Sequence, residues 1–138
     1  MKVKIYSDGG SRGNPGHAGF GVAIFDQSDK TISEISKYIG VKTNNEAEYT
    51  GLIAGLNWLK ENYLDLDIVE AELNSDSELI VRQMQGIYKV KAGNLKDLNK
   101  QAREFVMAIK AKITFKSIRR EFNGRADELA NEAMDKKI

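Results

Sequence analysis

The chain begins with three segments in which apolar and polar residues alternate. Residues 2–8 follow a period of two, which is typical of a β-strand that is buried on one face. Residues 20–26 and 32–40 predict two more strands, with a turn between them at 26–30. Because the connections are short, we expect these three strands to pair as an antiparallel meander.

From Asn44 onward the pattern changes to a helical period. Apolar residues recur every three or four positions over 44–63, which predicts a helix with Asn44 or Asn45 as its N-cap. Gly51 and Gly55 lie on the same face of this helix as Glu48, and they predict close packing against the sheet.

The second half of the chain alternates between strand and helix patterns. We expect a strand over 67–76, a short helix ending at Gly86, a longer helix capped by Asn94, a strand over 112–119 and a helix over 124–137. The predicted order is therefore β-β-β-α-β-α-α-β-α. It indicates an α/β fold with a five-stranded mixed sheet, three antiparallel strands plus two parallel ones, flanked by helices on both faces.

Length and composition point to one intracellular domain. The 138 residues fit a single domain, which we place at 1–138, and the chain has no cysteine for disulfides or thiolate zinc sites. The N-terminus lacks the apolar core of a signal peptide, and no apolar run reaches membrane-spanning length. We therefore expect a cytoplasmic, monomeric protein that does not interact with membranes.

The net charge of +1 hides an uneven distribution. Between Arg82 and Arg120 there are eleven Lys or Arg and two acids, so the remaining residues carry ten basic and eighteen acidic side chains. This segment, the basic block, indicates a face for a polyanion. A solvated helix surface explains the same composition, and composition alone does not choose between the two.

Four carboxylates occupy similar places in the predicted elements. Asp8 ends the first strand, Asp76 follows the fourth, and Glu48 and Asp127 lie in the first turns of two helices. Because strand ends and the starts of the following helices meet at one edge of such a sheet, the four acids can converge there. Oxygen ligands without histidine or cysteine favour Mg²⁺ or Mn²⁺. Acids are also common at helix N-termini, where they favour the helix dipole.

Four blocks of sequence carry a family resemblance. "SDGGSRGNPGHAGFG", "TNNEAEYTGLIAGL", "NSDSELIVRQMQG" and "EFNGRADELANEA" resemble, in order and spacing, the four blocks of type 1 ribonuclease H. The resemblance implies endonucleolytic cleavage of the RNA strand in RNA–DNA hybrids, leaving 5′-phosphate and 3′-hydroxyl ends. It also implies two Mg²⁺ ions as cofactors, for which Mn²⁺ can substitute.

The resemblance also assigns roles to individual residues. Asp8 would bridge the two ions, Asp127 would help to hold the ion that activates water, and Glu48 and Asp76 would hold the ion at the departing 3′-oxygen. The residues that would contact the two strands of the hybrid are Gly9, Gly10, Asn14, Thr43, Asn44 and Asn45. Apart from the resemblance, the charge of Arg120 indicates a contact with the new 5′-phosphate.

The chain departs from the better-known members of this family in two segments. Residues 85–98 replace a longer basic protrusion and contain no Trp, and no histidine precedes Asp127. His17 is the only histidine, and it lies in the glycine-rich run, which excludes a histidine-based triad elsewhere. Two alternatives to a hybrid-specific nuclease stay open: a nuclease that also accepts double-stranded RNA or RNA–DNA junctions, and a non-catalytic binding module on the same fold.

Overall fold

The computed structural model describes all 138 residues, Met1–Ile138. The strands are β1 (Lys2–Arg12), β2 (Gly16–Asp26), β3 (Thr31–Lys42), β4 (Glu70–Ser75) and β5 (Lys112–Ser117). The helices are α1 (Asn44–Asn62), α2 (Glu78–Met84), α3 (Gly93–Ala108) and α4 (Gly124–Lys136), and a 3₁₀ turn covers Arg120–Phe122. The predicted order of elements is confirmed.

The five strands form one mixed sheet in the order β3-β2-β1-β4-β5. β1 pairs antiparallel with β2, and β2 pairs antiparallel with β3, whereas β1, β4 and β5 run parallel to one another. The predicted division into three antiparallel and two parallel strands is therefore confirmed. It follows from the connections, because a short turn can join only antiparallel neighbours and a helix is needed to return a parallel strand.

The first strand is longer than the sequence pattern indicates. Its parallel pairing with β4 stops at Ser7 and Ser75, but its antiparallel pairing with β2 continues to Arg12. Contrary to the sequence-based expectation, Asp8 does not end β1. It is the first residue of β1 after the last parallel pair with β4. The glycines that follow lie in a paired strand rather than in a loop.

Two predicted helix caps are wrong. The N-cap of α1 is Thr43, whose hydroxyl accepts a hydrogen bond from the Glu46 N–H at 3.1 Å, while the Glu46 carboxylate accepts from the Thr43 N–H at 2.9 Å. This reciprocal capping box gives hydrogen-bond partners to the N–H groups of both Thr43 and Glu46, which a cap at Asn44 or Asn45 would not do. The longer helix α3 begins at Gly93, and its N-cap is Ala92 rather than Asn94.

Helices cover both faces of the sheet. Gly51 and Gly55 allow α1 to pack closely on one face, because a Cβ at these positions would lie 3.1 Å from the Asp8 carbonyl oxygen and 3.0 Å from Ile5 Cγ2. On the other face, a Cβ at Gly21 would overlap the backbone of α4 at Ala126. The predicted close packing of α1 is confirmed.

The main core lies between the sheet and α1, with α2 and α3 closing it. Its fully buried members include Ile5, Val22, Ile24, Tyr49, Leu56, Leu59, Leu73 and Ile80. None of the helices combines the length and apolar character needed to cross a lipid bilayer.

Candidate active site

Three of the four predicted acids meet at the edge where β4 ends. Asp8, Glu48 and Asp76 each present a carboxylate oxygen within 4.8 Å of the other two. The register of β1 and β4 explains why Asp8 and Asp76 lie side by side, because each directly follows the last parallel pair, Ser7–Ser75. These three residues are referred to below as the carboxylate trio.

Glu48 reaches the trio because α1 lies against the backbone of β1. It is the fifth residue of α1 and so lies one or two positions further from the N-cap than predicted, because the cap is Thr43. A Cβ at Gly9 would overlap the Ala47 carbonyl and lie 2.6 Å from the Glu48 nitrogen, so only glycine permits this approach. The Gly9 backbone N–H also acts to lower the pKa of Glu48, against the larger effect of burial. Gly9 therefore sets the distance between the two acids.

The surroundings of the trio oppose ionisation. Burial, followed by the negative charge of Asp76, raises the pKa of Asp8 to about 7. Burial and then the charge of Asp8 raise the pKa of Glu48 well above its usual value. Burial also raises the pKa of Asp76, against which the guanidinium of Arg120 acts to lower it. Without a bound cation, holding these ionised carboxyl groups together costs free energy of folding.

Asp127 lies at the same cleft but outside the trio. It occupies the first turn of α4, where its N–H donates to the Asn123 carbonyl at 3.0 Å. Asn123 is 1% exposed, and its side-chain amide donates to the Ser7 carbonyl at 2.9 Å. The start of α4 is thus tied to the residue before Asp8, which brings Asp127 within electrostatic reach of Asp8.

The trio and Asp127 line an open cleft of about 860 Å³. Three arginines also line it: Arg12, Arg119 and Arg120. The sequence does not predict Arg12 as a site residue, because no motif or spacing distinguishes it. It donates to the Asn131 side chain at 3.0 Å and pairs with Asp135 at 2.9 Å, both on α4. The cleft therefore combines a carboxylate floor with cationic groups at its rim, an arrangement suited to cations and phosphates together.

Some of the predicted substrate-binding residues lie in this cleft, and their neighbours occupy an adjoining depression. Gly9, Gly10, Asn44, Asn45 and Arg120 line the cleft itself. A depression of about 410 Å³ is lined by Asn14, Thr43, Asn44, Asn45, Ala92, Asn94 and Leu95. Asn44 and Asn45 belong to both, so the two depressions adjoin.

Hydrogen bonds fix two asparagines of this region, Asn14 and Asn44. The Asn14 side-chain oxygen accepts from the Asn44 N–H at 3.0 Å, and the Asn44 side-chain oxygen accepts from the Ser11 N–H at 2.8 Å. These bonds tie the β1–β2 turn to the start of α1. The sequence predicts Asn94 only as a helix cap, but this residue lines the second depression. The packing of α3 beside the start of α1 brings it there.

The basic block divides into exposed and internally used side chains. Lys89, Lys91 and Lys96 are exposed in the α2–α3 connection and the first turn of α3. Arg103, by contrast, donates to the Asn99 side chain and to the Gln83 carbonyl, both at 2.9 Å, and so braces α3 against α2. His17 does not line the cleft, and its Nδ1 lies 2.6 Å from the Tyr38 hydroxyl.

The donor set fits a hard divalent cation. All the candidate ligands are carboxylate oxygens, the type that Mg²⁺ and Mn²⁺ prefer. One of them, Glu48 Oε2, is buried and has no hydrogen-bond partner within the protein. A buried carboxylate oxygen without a partner is costly, and a cation would satisfy it.

Known proteins resemble the chain along its whole length. A family model described as "Reverse transcriptase-like" matches residues 6–133. A ribonuclease H of Chlorobium luteolum is 32% identical over 152 residues, covering 99% of this chain and 97% of that protein. A bifunctional protein of Mycobacterium tuberculosis is 44% identical over 98% of this chain, which spans only 36% of that relative's length.

A solved structure shows the same fold. It is the crystal structure of a ribonuclease H1 that was isolated from compost, in complex with an RNA/DNA hybrid. It matches this chain with a TM-score of 0.92 and 50% sequence identity. The match covers 98% of each chain.

Proposed function

Since the chain belongs to the ribonuclease H family, we propose that it is a metal-dependent endoribonuclease that cleaves the RNA strand of RNA–DNA hybrids. The observation that carries the proposal is the carboxylate trio, in which three acids from three separate elements converge although the charge of Asp76 raises the pKa of Asp8 and the charge of Asp8 raises that of Glu48. Residues 1–138 act in this proposal as one catalytic domain and as a monomer.

Asp8, Glu48, Asp76 and Asp127 would hold two divalent ions, Mg²⁺ or, as a substitute, Mn²⁺. When bound, such ions activate a water for attack on the scissile phosphate and stabilise the departing 3′-oxygen, which gives 5′-phosphate and 3′-hydroxyl ends. The protein's own contribution is to place these oxygens. Ser7 and Ser75 bring Asp8 beside Asp76, Gly9 admits Glu48, and Asn123 holds the start of α4.

The rim of the cleft would bind the hybrid. Gly10 lies on the open side of β1, where the backbone is accessible to an RNA strand and its 2′-hydroxyls. Asn44 and Asn45 begin α1 after Thr43, and Asn14 contacts Asn44 from the β1–β2 turn. Polar side chains and helix N–H groups at this place suit contacts with bases and phosphates. Arg120 is 88% exposed beside Asp76, which suits a contact with the phosphate at the cleavage point.

A panel of labelled substrates tests this function. We expect the protein to cut the RNA strand of a hybrid with Mg²⁺ or Mn²⁺ and to be inactive with a chelator. Parallel reactions on double-stranded RNA and on an RNA–DNA junction separate a hybrid-specific nuclease from a broader one. Binding of all three substrates without cutting in either metal would support a non-catalytic module instead.

A further inference from the structure

Arg120 differs from the other arginines of the cleft in its partner. Its Nε lies 3.7 Å from Asp76 Oδ2, so it pairs with a member of the carboxylate trio. Arg12 pairs with Asp135 and Arg119 pairs with Glu121, and neither of those acids belongs to the trio. Arg120 is therefore the cation that the fold itself supplies to the trio.

The backbone that carries Arg120 is fixed at both ends. The Ile118 N–H donates to the Ser75 carbonyl at 2.9 Å, and the buried Asn123 amide donates to the Ser7 carbonyl at 2.9 Å. Ser75 precedes Asp76 and Ser7 precedes Asp8. Residues 119–122 thus bridge the two strand ends that present these acids, and the position of Arg120 over the trio follows from the fold.

The two partners of this ion pair differ in their freedom to move. The Asp76 side chain is 10% exposed, whereas the Arg120 side chain is 88% exposed. The carboxylate is fixed and desolvated, while the guanidinium extends from a 3₁₀ turn into solvent and can leave at little cost. Such a pair neutralises part of the trio's charge without blocking the site permanently.

We propose that Arg120 is an internal counter-cation of the carboxylate trio, which a divalent ion displaces from Asp76. Metal binding and the Arg120–Asp76 contact then exclude each other, and the displaced guanidinium becomes free to meet a substrate phosphate. This inference rests on the proposed function, because it assumes that the trio holds a divalent ion.

Calorimetric titration of the substrate-free protein with Mg²⁺ and Mn²⁺ tests the inference. We expect Arg120→Gln to bind metal about two- to fivefold more tightly than the wild type, the range for an exposed ion pair. The gain should shrink at high salt, because screening weakens the pair. Arg120→Lys, which keeps the charge, should remain near the wild-type affinity.

Arg119→Gln is the matched control, since it removes the same charge from the neighbouring residue, which pairs with Glu121. Equal tightening in Arg119→Gln and Arg120→Gln, or an Arg120→Gln affinity equal to that of the wild type, would overturn the inference while leaving the proposed function intact. A wild-type protein that binds neither metal and cuts no hybrid would overturn both.

Discussion

Burial and the charge of Asp76 raise the pKa of Asp8 to about 7, so its carboxyl group holds its proton to a higher pH than an ordinary aspartate does. The unfolded chain would release the same proton near its usual pKa of 3.8. Between these two values the folded state binds more protons than the unfolded state, so Asp8 lowers the stability of the metal-free protein as the pH rises.

Asp8→Asn should therefore stabilise the metal-free protein at about pH 8 and have little effect at about pH 4, where the wild-type carboxyl is protonated in the folded state. Each kcal/mol gained corresponds to roughly 2–6 °C in Tm for a chain of this size. Thermal unfolding in the presence of a chelator measures the difference. Asp97→Asn, at an exposed position of α3, is the control. A lower Tm for Asp8→Asn at both pH values would mean that Asp8 is needed for the fold.

Gly9 and Gly10 offer a matched pair of substitutions. A Cβ at Gly9 would overlap the backbone of α1, whereas one at Gly10 would meet Met134 Cε at an ordinary 3.5 Å. We expect Gly9→Ala to cost about 1–3 kcal/mol in the free energy of unfolding and to weaken metal binding, because Glu48 is displaced. Gly10→Ala should stay within about 0.5 kcal/mol of the wild type. Denaturant unfolding and metal titration of both variants would show this contrast, and equal losses would contradict it.

The guanidinium of an arginine is a permanent cation, so Arg120 cannot exchange a proton near neutral pH to help the product leave. At saturating metal, we expect product release to limit turnover and Arg120→Ala to slow steady-state cutting more than the first turnover. His17→Ala should leave both rates nearly unchanged, since His17 contacts Tyr38 outside the cleft. A first turnover slowed as much as the steady state would mean that Arg120 acts before or during cleavage, and the argument for slow product release would fail.

The gathering of the acids at one cleft could be predicted from sequence, because Asp76 follows a strand end and Glu48 and Asp127 lie near helix starts at the same sheet edge. Asp8 joins them although β1 continues past it to Arg12. Gly9 could not be explained in the same way. Its neighbour Ala47 is far away in sequence, and the reason for glycine is a contact between two backbones. The unpartnered oxygen of Glu48 is likewise visible only once α1 is packed on β1.

Strands and helices were predictable in type and order, and the errors lie at their ends. The glycines after Asp8 indicate a loop by composition, but pairing with β2 extends the strand through them to Arg12. The start of α1 offers two Asn residues as caps, yet the reciprocal bonds between Thr43 and Glu46 determine the cap. Local patterns could not decide between such alternatives, because partners across the sheet or within the turn do.

The α2–α3 connection and the start of α3 present Lys89, Lys91 and Lys96 to solvent. If these lysines contact phosphates, changing all three to Gln should weaken hybrid binding and reduce the salt dependence by up to about 0.9 log units per lost contact. The cutting rate at saturating substrate should change little.

The matched control changes Lys2, Lys30 and Lys60 to Gln, three lysines that do not line the cleft. Binding isotherms at several salt concentrations measure both triple variants. An equal salt dependence for the two would mean that the basic block is a solvated surface.

Across the whole molecule, the function depends on topology more than on any single motif. The central strand β1 has an antiparallel partner on one side and a parallel partner on the other, and only the antiparallel partner continues past Ser7. The space beyond the end of β4 is the cleft, into which α1 and α4 direct acids from opposite faces of the sheet. The alternation of elements predicted this arrangement, whereas the exact approach of the acids came from packing.

The most direct measurement compares wild type with Asp8→Asn on a hybrid labelled in its RNA strand, with Mg²⁺, and identifies the product ends. If the proposed function is correct, the wild type cuts the RNA strand and leaves 5′-phosphate and 3′-hydroxyl ends, and a folded Asp8→Asn protein does not cut above the metal-free level. Near-normal cutting by Asp8→Asn, or wild-type cutting that persists in a chelator, would contradict it.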